Sequence, residues 1–123
     1  MQIIRIEELD RKRIRVTFEG GCEFALYKGE GKRYGLQEGR ELAEDQFLEI
    51  RGEILIKRAR LRAMHLLEKM DRTEEQLRMK LRQGYYPQDV IEDALDYVKG
   101  YHYVDDLRYA QNYVRRHKDK KSR

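Results

Sequence analysis

Apolar and polar residues alternate through the first 28 positions of the chain. Ile4 and Ile6 form one set, Ile14, Val16 and Phe18 a second, and Cys22, Phe24 and Leu26 a third, each spaced by two. That period belongs to strands with one face buried. Asp10 to Arg13 is read as the turn between the first two strands. Gly20-Gly21, between Glu19 and Cys22, has the spacing of a two-residue primed hairpin turn. Three strands in an antiparallel meander are therefore predicted. A glycine-rich connection, GEGKRYGLQEG, follows from Gly29 to Gly39. Its GxGxxxG spacing is superficially that of a phosphate loop. No GK[ST] follows, however, and the strand does not run straight into a helix, so the segment is read as a turn-rich linker.

From Glu44 the period becomes helical. Phe47 and Ile50 predict a short amphipathic helix that ends or bends near Gly52. Leu55, Ala59, Ala63, Leu66 and Met70, at spacings of 4, 4, 3 and 4, predict a longer one from about Ile54 to Met70. Thr73 is an N-cap with Gln76 completing a capping box, Leu77 and Leu81 share a face, and Gly84 is placed at the left-handed C′ position. Pro87 opens the next helix and Asp89 suits its dipole. Val90, Ile91, Ala94, Leu95 and Val98 form its buried stripe, and Gly100 stops it. Three helices over residues 54–99 suffice to enclose a core.

A fourth helix, 105–117, is capped by Asp105 or Asp106 and gathers Leu107, Ala110, Tyr113 and Val114 on one face. No helix follows to cover that face. It is expected either to dock back on the three-helix unit or to belong to a repeat whose next helices are missing, in which case it would pair two copies as a homodimer. The fold class is thus α+β and mainly α: a short N-terminal antiparallel β-meander, a three-helix repeat and the first helix of a second repeat. Residues 1–42 form the β-rich region with its glycine-rich connection, and 43–123 the helical region with a basic tail.

Charge changes this picture only locally. Residues 1–50 hold 9 Lys+Arg against 11 Asp+Glu, and residues 51–123 hold 18 against 12, within a formal net charge of +4. Six basic side chains fall in the last nine residues, so the overall basicity is weak support for nucleic-acid binding. Lone Cys22 has no disulfide partner, the N-terminus lacks the apolar core of a signal peptide, and no apolar run approaches the roughly 20 residues of a membrane span. A cytoplasmic protein without membrane contact is expected.

Catalysis finds little footing. His65, His102 and His117 lack metal-ligand spacing, Cys22 lacks an activating neighbour, and the Asp105-Asp106 pair is explained by helix capping. No catalytic residue, cofactor or metal is assigned. The candidates for partner binding are basic residues at helical spacing: Arg58 and Arg62 on the first long helix, Arg78 and Arg82 with Lys80 offset on the next, and Arg108, Arg115 and Arg116 on the fourth. Arg78 and Arg82 lie off the Leu77/Leu81 stripe. Such a set suits phosphates or acidic protein groups; the plainer alternative is a solvated face paired with Glu68, Glu74 and Glu75. Seven tyrosines cluster between Tyr85 and Tyr113 and are read mostly as packing residues.

The run TEEQLRMKLRQGYYPQDVIEDALDYVKGYHYVDDLRYAQNYVRR resembles RecX-type regulatory proteins. The resemblance is carried by Thr73, Glu74, Leu77, Leu81, Gly84, Tyr85, Val90, Ile91 and Leu95, then by Tyr103, Val104, Asp105, Asp106, Tyr109, Ala110, Tyr113 and Val114. It covers about residues 54–117, and the strands followed by YGLQEGREL resemble the leader of Firmicute-type members. His102 departs from the usual glycine, and the family carries further three-helix repeats. The resemblance implies a protein that binds along the RecA filament and restrains its recombinase, ATPase and coprotease activities in DNA repair. The residues alone leave two other readings open: a helical module binding single- or double-stranded DNA directly, and a structural interaction domain.

Overall fold

The computed structural model describes residues 1–100. The predicted fourth helix, with Arg108, Arg115 and Arg116, lies outside the described residues, and so does the expected pairing through it. Three strands, β1 (Ile3–Glu8), β2 (Arg13–Phe18) and β3 (Glu23–Tyr27), form an antiparallel sheet in the order β1-β2-β3. Helices follow: α1 (Lys28–Arg33), α2 (Glu44–Glu49), a π-helical segment (Ile50–Ile56), α3 (Lys57–Lys69), α4 (Glu74–Gln83) and α5 (Gln88–Gly100). Contrary to the turn-rich linker expected from Gly29, β3 does run straight into a helix, because the Glu30 side chain accepts the Tyr27 N–H and starts α1 there. The fold is α+β and mainly helical, as the periodicities predict.

The sheet's inner face is the even-numbered one. Val16 pairs with Phe24 and Ile14 with Leu26, and Val16, Phe18, Phe24 and Leu26 are all but fully buried. Phe47 of α2 packs against this face, its ring centroid 5.5 Å from Phe18 and 6.2 Å from Phe24. Buried residues of sheet and helices form one continuous core.

Two details of the sheet differ from the alternation argument. The β2–β3 connection has three residues, not two. Phe18 N–H donates to Cys22 C=O at 2.8 Å, leaving Glu19, Gly20 and Gly21 in the loop, both glycines at positive φ. A two-residue loop would set Glu19 opposite Cys22 and turn Phe24 to the face opposite Phe18, so burial of both rings decides against it. In β1 the register shifts between Ile3 and Arg5. The irregularity sends Ile3 into the core and leaves Ile4 55% exposed, where alternation places Ile4 inside.

The chain does not break near Gly52. Helical geometry continues from Glu44 to Lys69, with seven residues of π-helix between α2 and α3. The buried positions explain this: Ile50, Leu55, Ala59, Ala63 and Leu66 are spaced 5, 4, 4 and 3, and the wider π turn keeps the five-residue step on one face. Met70 then leaves the helix with extended φ of −166°.

The Thr73–Gln76 capping box is present, with Gln76 N–H donating to Thr73 Oγ1 at 3.2 Å and Thr73 N–H to Gln76 Oε1 at 2.9 Å. Gly84, however, has φ −86°, and the left-handed residue is Tyr85 at φ 64°. Glycine is needed at 84 for close approach, since a Cβ there would lie 2.9 Å from Cε2 of Tyr86. In α5 the predicted stripe of Val90, Ile91, Ala94, Leu95 and Val98 is buried throughout.

Candidate partner-binding cleft

Arg58, Leu61, Arg62 and His65 recur along one flank of α3, at the period that keeps residues on one helical face. Across from them stand Arg13, Ala25 and Tyr27 of the sheet, and Lys80, Gln83 and Tyr86 of α4 and the turn after it. Together they line a cleft of about 390 Å³. Arg13, Ala25 and Tyr27 are odd-numbered, so the alternation that buries the Phe24 and Leu26 side chains turns theirs to the other face.

The cations here differ in availability. Arg58 is bound bidentately to Glu30 of α1, at 3.1 and 2.6 Å, and lies 4.6 Å over the Tyr27 ring. Glu30 also accepts the Tyr27 N–H at 2.9 Å, which ties the start of α1 to the cleft wall. Arg13 pairs with Asp10 at 2.9 Å, within a turn where Asp10 Oδ1 accepts the N–H groups of Lys12 and Arg13. Arg62, His65 and Lys80 are exposed, and no ion pair to any of them occurs among the described residues. Burial pushes the Tyr86 hydroxyl pKa up, against the opposing pull of the positive charges of Arg58, Arg62 and Arg13.

Of the sequence-predicted set, the cleft gathers Arg58, Arg62 and Lys80. Arg78 stands elsewhere, binding Glu92 of α5 at 2.9 and 3.0 Å and reaching Glu74 and Glu75 at 3.5 Å. It clamps α4 to α5, although it lies off the Leu77/Leu81 stripe as its phase requires. Arg82 pairs with Glu75 at 3.7 Å and borders a second cleft of about 260 Å³, with Cys22, Glu23, Tyr85 and Tyr86. Sequence reasoning missed Arg13, Tyr27 and His65 as cleft residues. Strand phase marks Arg13 and Tyr27 as outward-facing, but nothing in it says which helix they face.

Among the described residues no group of three or more His, Cys, Asp or Glu is placed to hold a metal ion, and no helix is long and apolar enough to cross a membrane. Half-buried Cys22 has its thiol pKa pushed up by burial and by Asp89 and Glu23. The cleft is thus open and lined by cations and aromatic rings on a small α+β scaffold.

A family model described as the first three-helix domain of RecX matches residues 59–97. Regulatory protein RecX of Clostridium acetobutylicum is 30% identical over 115 residues, 92% of this chain and 54% of that protein. Regulatory protein RecX of Bacillus velezensis is 33% identical over 115 residues, 94% of this chain and 44% of that protein. A crystal structure of regulatory protein RecX superposes with a TM-score of 0.51 at 28% identity, over 93% of this chain and 57% of that one. Over most of its length the chain is similar to the RecX family of regulatory proteins. It spans about half the length of the curated relatives it matches.

Proposed function

We propose that this chain is a non-enzymatic, cytoplasmic regulator that binds the RecA–DNA filament and restrains recombinase activity in DNA repair. The similarity to RecX regulatory proteins supports the partner. The observation that carries the binding mode is the pair Arg62 and Lys80, two exposed cations from different helices facing one cleft while Arg58 and Arg78 are held by carboxylates. Desolvated contact with phosphate or acidic side chains would draw on the unpaired cations first, because a cation already bound to carboxylate must give that bond up.

Co-sedimentation of the full chain with RecA on single-stranded DNA, with DNA-only and RecA-only controls, tests the reading. Binding to the filament should exceed binding to DNA alone at physiological salt, and Arg62→Glu with Lys80→Glu should weaken it at least tenfold. Equal affinity for bare DNA, falling steeply with salt, would instead make the chain a direct DNA-binding module.

A further inference from the structure

The two edges of the sheet are treated differently. Along β1, the segment Gly39–Leu42 acts as a strap: Ile3 N–H donates to Arg40 C=O at 2.9 Å, Gly39 N–H to Ile3 C=O at 2.7 Å, and Leu42 N–H to Met1 C=O at 2.7 Å. Glu38 Oε1 accepts the Ile6 N–H at 3.0 Å farther along the same edge. Among the described residues nothing comparable lies along β3. The bonds from Phe18 N–H to Cys22 C=O and from Lys28 N–H to Lys12 C=O fix the even-numbered residues of β3 as those paired with β2. In an antiparallel ladder the alternate residues then turn both backbone groups the other way. Glu23 and Ala25 therefore point N–H and C=O outward, and no backbone or side-chain hydrogen bond to these four groups occurs among the described residues. At Tyr27 the open edge ends, because Glu30 takes its N–H.

This open edge is also the wall of the cleft. Ala25 and Tyr27 line the larger cleft and Glu23 the smaller one, and the two share Tyr86. Opposite stand Arg62, His65 and Lys80, with Leu61, 57% exposed, among them. The geometry points to an extended acidic peptide of a partner protein as the occupant, added to β3 as a fourth strand. Its backbone would bond Glu23 and Ala25, while carboxylates on alternate positions meet Arg62 and Lys80 and an apolar residue covers Leu61. Main-chain pairing supplies affinity in this mode, and side-chain positions supply specificity. A nucleic-acid strand fits less well. Phosphates accept hydrogen bonds but cannot donate to the two outward C=O groups, and Glu23 repels them. The inference rests on the reading of this cleft as the partner-binding face, and specifies which chemistry of the partner enters it.

The test uses the full chain and three fluorescein-labelled probes: a ten-residue peptide alternating glutamate and valine, its lysine–valine counterpart, and a ten-residue oligothymidylate. The glutamate peptide should bind, the lysine peptide should not, and exchange of the Glu23 and Ala25 amides should slow at least tenfold in the complex. Arg62→Glu with Lys80→Glu, both exposed, should abolish binding without altering thermal stability. Ala25→Pro removes one outward donor and leaves the β2 pairing groups intact, so it should weaken the peptide at least tenfold. Peptide binding without slowed exchange at Glu23 and Ala25, oligothymidylate binding equal to or tighter than peptide binding, or no peptide binding would each overturn the proposal. Filament co-sedimentation retained in any of those cases would show that only the edge-strand inference has failed.

Discussion

Replacing Glu30 by Gln should make the protein less stable and yet a better binder of acidic groups. Glu30 holds Arg58 through two charge-assisted hydrogen bonds, and the side chains are 21% and 31% exposed, so the pair is partly shielded from water. A hydrogen bond to a charged group contributes about 1.5–3 kcal/mol in a shielded site, and solvent screening reduces this for a pair at the protein margin. A loss of about 1–2 kcal/mol is expected, which in a domain of this size lowers Tm by roughly 4–16 °C. The amide oxygen of the introduced glutamine can still accept the Tyr27 N–H and keep the helix start in place, so the change removes charge with little loss of local structure.

The freed guanidinium then faces the cleft with its full charge. One added unit charge about 6 Å from a ligand carboxylate is worth about 0.7–1.4 kcal/mol at effective dielectric constants of about 40–80. Affinity for the glutamate–valine peptide should therefore rise by about threefold to tenfold, and the gain should shrink as salt is raised. Urea denaturation followed by circular dichroism gives the stability, and fluorescence anisotropy at two salt concentrations gives the affinity. Lower stability with unchanged or weaker peptide affinity would refute the argument, because Arg58 would then be a structural residue with no line of approach to the ligand.

Arg78 should behave in the opposite way: Arg78→Gln is expected to destabilise the α4–α5 contact while leaving partner affinity within about twofold, in contrast to Arg62→Glu. The same variant carries a pH signature. The Arg78 hydrogen bonds hold the Glu92 carboxyl below its ordinary value of 4.5. A carboxylate whose folded pKa is depressed contributes stability that is complete above the unfolded value and disappears as pH falls through the folded one. The fall in stability below pH 4.5 should thus be shallower in Arg78→Gln than in the parent, as read by thermal melts between pH 2 and 6. Gly84→Ala should cost about 1–3 kcal/mol by pressing a methyl group on the Tyr86 ring, and a melt within about 0.5 kcal/mol of the parent would show that the ring moves aside freely. Cys22, raised by burial, should alkylate with iodoacetamide at pH 7 more slowly than a cysteine in an unfolded peptide; an equal rate would mean the strand edge opens readily.

Elements whose signals are local are legible in the sequence. The Thr73–Gln76 capping box and the α5 stripe each depend on residues a few positions apart, and the structure shows both. Hairpin length is legible too, but only when two signals are weighed against each other. Ile14, Val16, Phe18, Cys22, Phe24 and Leu26 are all even-numbered, so only an odd loop sets them on one face, and that parity outweighs the Gly-Gly turn signature. Burying Phe24 and Leu26 is worth about 1.5–3 kcal/mol each, more than a turn preference. The stretch from Ile50 to Leu55 misleads, because Gly52 points to a break there and only the burial of both residues on one face reveals the π turn. Gly84 misleads because glycine answers two needs: a left-handed backbone or a close neighbour. Only the position of the Tyr86 ring distinguishes them. The cleft is legible only in part, because Arg13, Arg62 and Lys80 meet through tertiary packing that no single period encodes.

That packing also bears on how the binding face is assembled. The family match to the first three-helix domain, residues 59–97, contains Arg62, His65 and Lys80 but neither Tyr27 nor Arg13. The helical unit supplies one wall of the cleft and the sheet supplies the other, with its open edge. Within the helices, much of the arginine charge is consumed in holding elements together: Arg51 to Asp89, Arg58 to Glu30, and Arg78 to Glu92. A helical repeat without this sheet would present Arg62 and Lys80 as two exposed cations on a convex flank, each worth little once screened by salt. Facing β3, the same two charges stand across a groove from the outward backbone groups of Glu23 and Ala25, where an added strand would be desolvated and positioned at once. Affinity for an acidic partner should therefore depend on the sheet as much as on the arginines. A variant with Phe47→Ala, which loosens the sheet from α2 without touching a cleft residue, should lose peptide affinity in parallel with the protection of the Val16 and Phe24 amides from exchange. Retained affinity in a variant whose sheet amides exchange freely would show that the helices bind alone.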